Sequence, residues 1–213
     1  MLKRDHLKQE LFKLIEPLQT RRQGSPITNL RAKPDTAQAI ESLTEQLEAV
    51  NPHLFPLLYC PQLLDGIWWL NYSTAREIRS LDKLPLGFQV GRVYQVIDVA
   101  SQAFFNQAFV KHPLGIVQGY VQVTATFEIA RSPDSPLPDK RLNVQFLERS
   151  TAISAIAGFK TPSLEPVNTA SARGPQGRIP TLDITYLDET LRIGRGGEGS
   201  LFILSKVDTM QPG

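Results

Sequence analysis

The chain has 213 residues, 41% of them apolar and 21% charged, enough for one generous domain with an added segment. Its net charge of +2 is too small to make nucleic acid the expected partner. The single cysteine, Cys60, excludes an internal disulfide and points to a reducing compartment, and no apolar run approaches the roughly 18 residues of a membrane-spanning helix.

Charge is uneven along the chain, with eight Lys and Arg against three Asp and Glu in residues 1–33. Leu7, Leu11, Leu14, Ile15 and Leu18 recur at helical spacing, which predicts an amphipathic helix stopped by Gly24 and Pro26. A second helix is expected after Pro34, with Asp35 as its cap and Ala39, Ile40, Leu43, Leu47 and Val50 on its buried face. Asn51-Pro52 closes it. Both helices are expected to pack on the domain C-terminal to them, although their basic residues would also suit an anionic membrane surface. Cys60, beside Leu57, Leu58 and Tyr59, reads as a small buried apolar residue.

From Gly66 onward the pattern changes to period two. Residues 1–63 therefore read as a helical segment with a basic linker, and 64–208 as a β domain. The clearest strand, "VQVTATFEIA", sends Val121, Val123, Ala125, Phe127 and Ile129 to one face, and "RLNVQFLER" repeats the alternation after the Pro-rich connection "SPDSPLPDK". Further strands are expected in "GIWWLNYST", "GRVYQVIDVA", "FFNQAFV", "IPTLDITYL" and "GSLFILSKV". Seven or eight such strands with short turns predict a mainly β protein, an antiparallel barrel preceded by two helices. The stretch 161–180, rich in Pro, Gly, Ser and Thr, is expected to loop over one mouth. The expected inward face is Trp68, Leu70, Tyr72, Val121, Val123, Phe127, Val144, Phe146, Leu182, Ile184 and Tyr186. It is apolar apart from two phenols that could hold a polar head group, and such a small barrel either fills its interior with side chains or holds one small ligand.

The motifs that suggest chemistry do not assemble into a catalytic site. Gly194, Gly196 and Gly199 have the dinucleotide spacing, but "SLFILSKV" behind them alternates as a strand, and phosphate binding needs a helix there. A hairpin turn is expected instead. Ser80–Lys83 matches Ser-x-x-Lys without the companion motifs of that chemistry. His6, His53 and His112 are too far apart for a metal helix or ribbon, so no metal or cofactor is expected. No enzymatic activity is expected either.

Gly66-Ile67-Trp68 is similar to the Gly-x-Trp of lipocalins, where the Trp closes one end of the barrel and an Arg packs on it. Arg192 and Arg195 are the candidate partners. "LDGIWWLNYST", "GRVYQVID" and "LDITYLDETLRIGRGGEGSLFILSK" together resemble the plastid lipid-associated proteins, or fibrillins, from about Leu64 to Lys206. The most specific block runs from Tyr186 and Asp188 through Arg192, Arg195 and Gly196 to Gly199, with Gly197 departing from the usual Asp or Asn. The resemblance implies a lipocalin-like barrel, peripheral to thylakoid membranes or lipid bodies on the cytoplasmic side. It also implies a non-enzymatic role with prenyl lipids, quinones, carotenoids or fatty acids, linked to photoprotection. A chain that starts almost at its first helix is expected to be a cyanobacterial-type member. The other reading left open is a scaffold for an enzyme of prenyl-quinone synthesis, carrying no ligand.

Overall fold

Alternating apolar residues give eight strands that each need a covered inner face, and closing the sheet on itself supplies it. The computed structural model describes residues 3–81, 84, 87–131, 133, 138–161, 164–172 and 179–212. Asp82 and Lys83 of the Ser-x-x-Lys stretch lie outside them, as do most of the Pro-rich connection at 132–137 and parts of the 161–180 stretch.

The elements in chain order are α1 (Lys3–Arg21), β1 (Ile27–Thr28), α2 (Pro34–Glu48), α3 (Pro56–Tyr59) and a 3-10 turn (Pro61–Leu64). Then come β2 (Gly66–Ser73), α4 (Arg76–Ser80), β3 (Gln89–Asp98), β4 (Ala103–Lys111), β5 (Val117–Arg131) and β6 (Pro138–Ile156). The short β7 (Phe159–Lys160) and β8 (Asn168–Ser171) come next, and β9 (Thr181–Leu187), β10 (Leu191–Gly196) and β11 (Leu201–Val207) complete the chain. The barrel runs β2-β11-β10-β9-β6-β5-β4-β3 and closes through β2 on β3, antiparallel at every barrel pairing. The expected class is the observed one.

Two local expectations change. Asp35 lies in the first turn of α2 rather than at its cap, because Pro34, with its φ already helical and no N–H to satisfy, starts the helix after Lys33. Part of the 161–180 stretch is not loop: β8 adds to the outer half of β6, pairing Asn168–Ser171 with residues 148–151.

Between Gly196 and Ser200 the chain makes the expected hairpin. The Gly196 N–H donates to Ser200 O at 2.8 Å, and the only left-handed residue in the turn is Gly199, at φ +78.

Two β-bulges at one level decide where the core lies. On β2, Leu70 faces Leu204 and Tyr72 faces Ile203, leaving Asn71 as the extra residue. On β9, Ile184 faces Gly194 and Tyr186 faces Ile193, leaving Thr185 extra. An extra residue reverses the facing of the residues beyond it. Tyr72, Ile203, Ile193 and Tyr186 thus form one row across four strands on the outside of the barrel. Leu7, Leu11 and Ile15 of α1 and Ile40 and Leu47 of α2 are buried in the same cluster as that row. A second cluster, with Trp68, Leu70, Phe127, Leu142, Ile184 and Leu204, fills the interior. Helices and barrel therefore share one core across the expected boundary at residue 63.

Truncating Leu11, fully buried in the shared core, should cost about 2–5 kcal/mol by the usual Leu→Ala range. Urea unfolding of Leu11→Ala, monitored by helix circular dichroism and by tryptophan fluorescence, should show one coincident transition. A fluorescence midpoint unmoved from wild type would mean that the barrel folds independently of the helices.

Candidate functional site: the barrel interior and its rim

The structure separates the expected inward residues into two sets. Trp68, Leu70, Phe127 and Ile184 lie in the interior cluster, with Leu182 packed against it. Val144 is buried, and Val121, Val123 and Phe146 are half-buried. The register puts Val121 opposite Ala108, Val144 opposite Phe127 and Phe146 opposite Ala125, which places them on the inward side with Phe127. Tyr72 and Tyr186 are corrected: the bulges at Asn71 and Thr185 turn both phenols outward, under the helices. Neither can hold a head group inside the barrel. Burial, and then the charge of Glu41, pushes the Tyr72 phenol up to about 12. Burial, and then its hydrogen bond to Asp188, raises Tyr186 as well.

The interior has a different polar feature. Arg192 pairs with Leu204 and Leu187, both interior residues, and is only 1% exposed. Its guanidinium lies over the Trp68 ring, 4.9 Å from the centroid, so it is the Arg192 candidate that meets the Trp. Nη2 donates to Gln95 Oε1, and Gln95 Nε2 in turn donates to Asn106 Oδ1 at 2.9 Å. Nη1 is buried with no hydrogen-bond partner, and no described carboxylate pairs with this cation. Burial pulls its pKa down to about 9, which leaves it charged at neutral pH.

The end of the barrel beside Arg192 is closed. The Trp68 indole donates to Leu64 O at 2.7 Å, and Lys206 lies 5.3 Å from the same ring while donating to Leu63 O at 3.3 Å. Gly66, at φ +109, opens β2 here, and a Cβ on it would sit 3.2 Å from Lys206 Cε.

A seam of the barrel lies between β6 and β9. Among the described residues, Arg141–Asn143 pair with Thr181–Asp183, reinforced by a bidentate Arg141–Asp183 ion pair at 2.7 Å. Past the contact of Val144 N–H with Pro180 O, at 2.9 Å, β6 takes β8 as its partner instead. A cavity of about 290 Å³ lies at this seam, lined by Phe127, Val144, Phe146, Ile179 and Pro180 among others. It gathers three of the expected site residues.

The other motif residues hold the helices in place. Arg195 points outward, its guanidinium bound to Glu48 at 2.8 and 2.9 Å and to Glu41 at 2.7 Å, and these hydrogen bonds raise its pKa. It is therefore corrected as a Trp68 partner. Gln19 of α1 donates to the bulge residue Asn71, at 3.1 Å to Oδ1. Asn51 donates to Thr185 O at 3.0 Å, and the Thr185 hydroxyl donates to Glu48 at 2.5 Å. Asp188 accepts from the Leu191 and Thr190 N–H groups, each at 2.9 Å, from the Tyr186 hydroxyl at 2.6 Å and from Lys8 at 2.8 Å. It thus shapes the β9–β10 turn and tethers α1 at once. Gln95, Asn106, Lys206 and the two bulge residues were missed from sequence. The one available signal was a polar Asn inside the apolar run "WWLNY".

A family model, PAP_fibrillin, matches residues 6–205. The chain belongs to the PAP/fibrillin family. Among curated fibrillin relatives, it is 33% identical to the probable plastid-lipid-associated protein 5, chloroplastic, of Arabidopsis thaliana, covering 97% of this chain and 71% of that one. It is 31% identical to the chromoplast-specific carotenoid-associated protein of Cucumis sativus, covering 92% and 68%. It is 29% identical to plastoglobulin-1, chloroplastic, of Pisum sativum, covering 83% and 56%. The chain thus spans between about half and seven tenths of these relatives' lengths. No solved structure matches it. Among the described residues, no helix of this fibrillin is long and apolar enough to cross a membrane.

Burial alone would push the Asp188 carboxyl up, but the hydrogen bonds from Lys8, Tyr186 and the two backbone N–H groups outweigh it and hold the pKa at about 2. A carboxyl depressed on folding adds stability above its unfolded value, near 3.9, and loses it as pH falls through the folded one. Asp188→Asn should therefore cost about 2 kcal/mol at pH 7. The gap between wild type and variant, measured by urea unfolding, should close between about pH 4 and pH 2. A gap that is constant down to pH 2 would show that the charge of Asp188 contributes nothing.

Proposed function

We propose that this fibrillin binds or organises a hydrophobic small molecule, a prenyl lipid, quinone, carotenoid or fatty acid, at a thylakoid membrane or lipid body. The role is non-enzymatic, and its setting is photoprotection. The relatives' names support the lipid and carotenoid side of this reading. One observation carries it to a site: the buried cation of Arg192, with Nη1 unpartnered inside an apolar barrel. An uncompensated buried charge is costly, and an oxygen-bearing head group would relieve that cost. The seam cavity at Phe127, Val144 and Phe146 offers apolar walls for a chain, whose burial gains about 25 cal/mol per Å².

Ligands with different heads test the assignment. Arg192→Met keeps much of the packing volume and removes the charge. It should weaken a long-chain fatty acid by about tenfold or more, since a hydrogen bond to a charged group is worth about 1.5–3 kcal/mol. A prenyl quinone should lose less and β-carotene, a pure hydrocarbon, nothing. Quenching of tryptophan fluorescence reads all three titrations. Phe127→Trp should weaken every ligand by crowding the inner wall, while Glu148→Gln, exposed on β6 and outside the lining of the seam cavity, should weaken none. If fatty acid binds wild type and Arg192→Met alike, Arg192 holds no head group. If Phe127→Trp matches Glu148→Gln, the inner wall is not the site.

A further inference from the structure

The basic linker of the sequence is not spread over the surface. Helix α1 ends at Arg21, and in the turn after it Gly24, at φ +82, returns its N–H to Gln19 O at 3.0 Å. The chain then reverses into β1, which pairs in parallel with the end of β2. This turn lays Arg21–Ser25 beside the start of β3 and the end of β4, around a cavity of about 360 Å³.

Four cations line that cavity: Arg21 and Arg22 from the helix end, Arg31 from the linker and Lys111 from the last residue of β4. No carboxylate does so among the described residues. Lys111 is held in place by donating to Gln23 Oε1. Ser25 also lines the cavity, and it is 2% exposed with a buried hydroxyl that has no hydrogen-bond partner. Arg22 and Arg31 have partners of their own, whereas the Ser25 hydroxyl has none, and leaving a buried hydroxyl unsatisfied is unfavourable. An oxyanion at the cavity would accept from that hydroxyl and from the surrounding cations. Leu81 and Phe88 also line it, an apolar surface for the stem that bears the anion.

We propose that this cavity is a binding site for a phosphate or sulfonate group carried on an organic stem. The site is outside the barrel and does not depend on the barrel ligand. A lipid head group and a free phosphate ester share this chemistry, so the experiment separates them. Calorimetry with sn-glycerol 3-phosphate probes the free ester. Flotation with phosphatidylcholine vesicles, with and without phosphatidylglycerol, probes the lipid.

The triple variant Arg21→Gln, Arg31→Gln, Lys111→Gln should lose at least about tenfold in affinity for the source that binds, because it removes three charge-assisted donors. Arg131→Gln, Arg149→Gln, Lys160→Gln removes the same charge from exposed positions elsewhere and should lose about twofold or less. Ser25→Ala, which leaves every cation in place, should lose about threefold. Glycerol phosphate binding that obeys this order, without vesicle capture, supports the site with a soluble ester as ligand. Capture that depends on phosphatidylglycerol and obeys the same order supports it with a lipid head group. Equal losses in the two triple variants, an unaffected Ser25→Ala, or no binding of either probe to wild type would overturn it.

Discussion

The row Tyr72–Ile203–Ile193–Tyr186 is the constraint on which the rest of the structure depends. A barrel strand ordinarily offers apolar residues to one side only, and an amphipathic helix needs an apolar surface to cover its stripe. Two extra residues at one level, Asn71 and Thr185, turn the ends of β2 and β9 so that four adjacent strands become apolar outside as well. Their bulges leave backbone and side-chain polar groups needing partners, and the helical layer supplies them through Gln19, Glu48 and Asn51. The same arrangement that docks the helices also stabilises the bulges that make docking possible. Arg195 and Lys8 then fasten the two helices by charge, from β10 and onto the β9–β10 turn respectively.

Moving the two phenols outward changes the character of the interior. What remains is largely apolar, with Arg192 and the amides of Gln95 and Asn106 inside and Lys206 over Trp68 at the closed end. Trp68 serves as a platform for the guanidinium and, through its indole N–H, as a plug against the 3-10 turn. The closed end is thus plugged and charged. Opposite in character is the β6–β9 seam, where among the described residues three residue pairs and one ion pair join the strands and a cavity with apolar walls lies alongside.

Much of this architecture was legible in the sequence. Period-two alternation marks nearly every barrel strand, and it does so because each strand meets the interior on one side and solvent or helices on the other. The strand after Gly199 was enough to turn a dinucleotide spacing into a hairpin, since a phosphate needs a helix N-terminus that no strand provides. The motif block from Tyr186 to Gly199 shapes the β9–β10 turn, the Trp68 contact and the helix clasp together. Asp188, Arg192 and Arg195 each make a different one of these contacts.

The sequence by itself determined the barrel class, the two leading helices, the turn made by the glycines and the pairing of an arginine with Trp68. These are local matters: periodicity, a stop signal, or a residue type beside a motif. Only the tertiary structure decided which arginine turns inward, that Tyr72 and Tyr186 face the helices, and that the basic linker closes around a cavity. A bulge adds one residue without changing the alternation that is written in the chain. It becomes visible only in the register with the neighbouring strand, and from there it reverses the facing of every side chain beyond it.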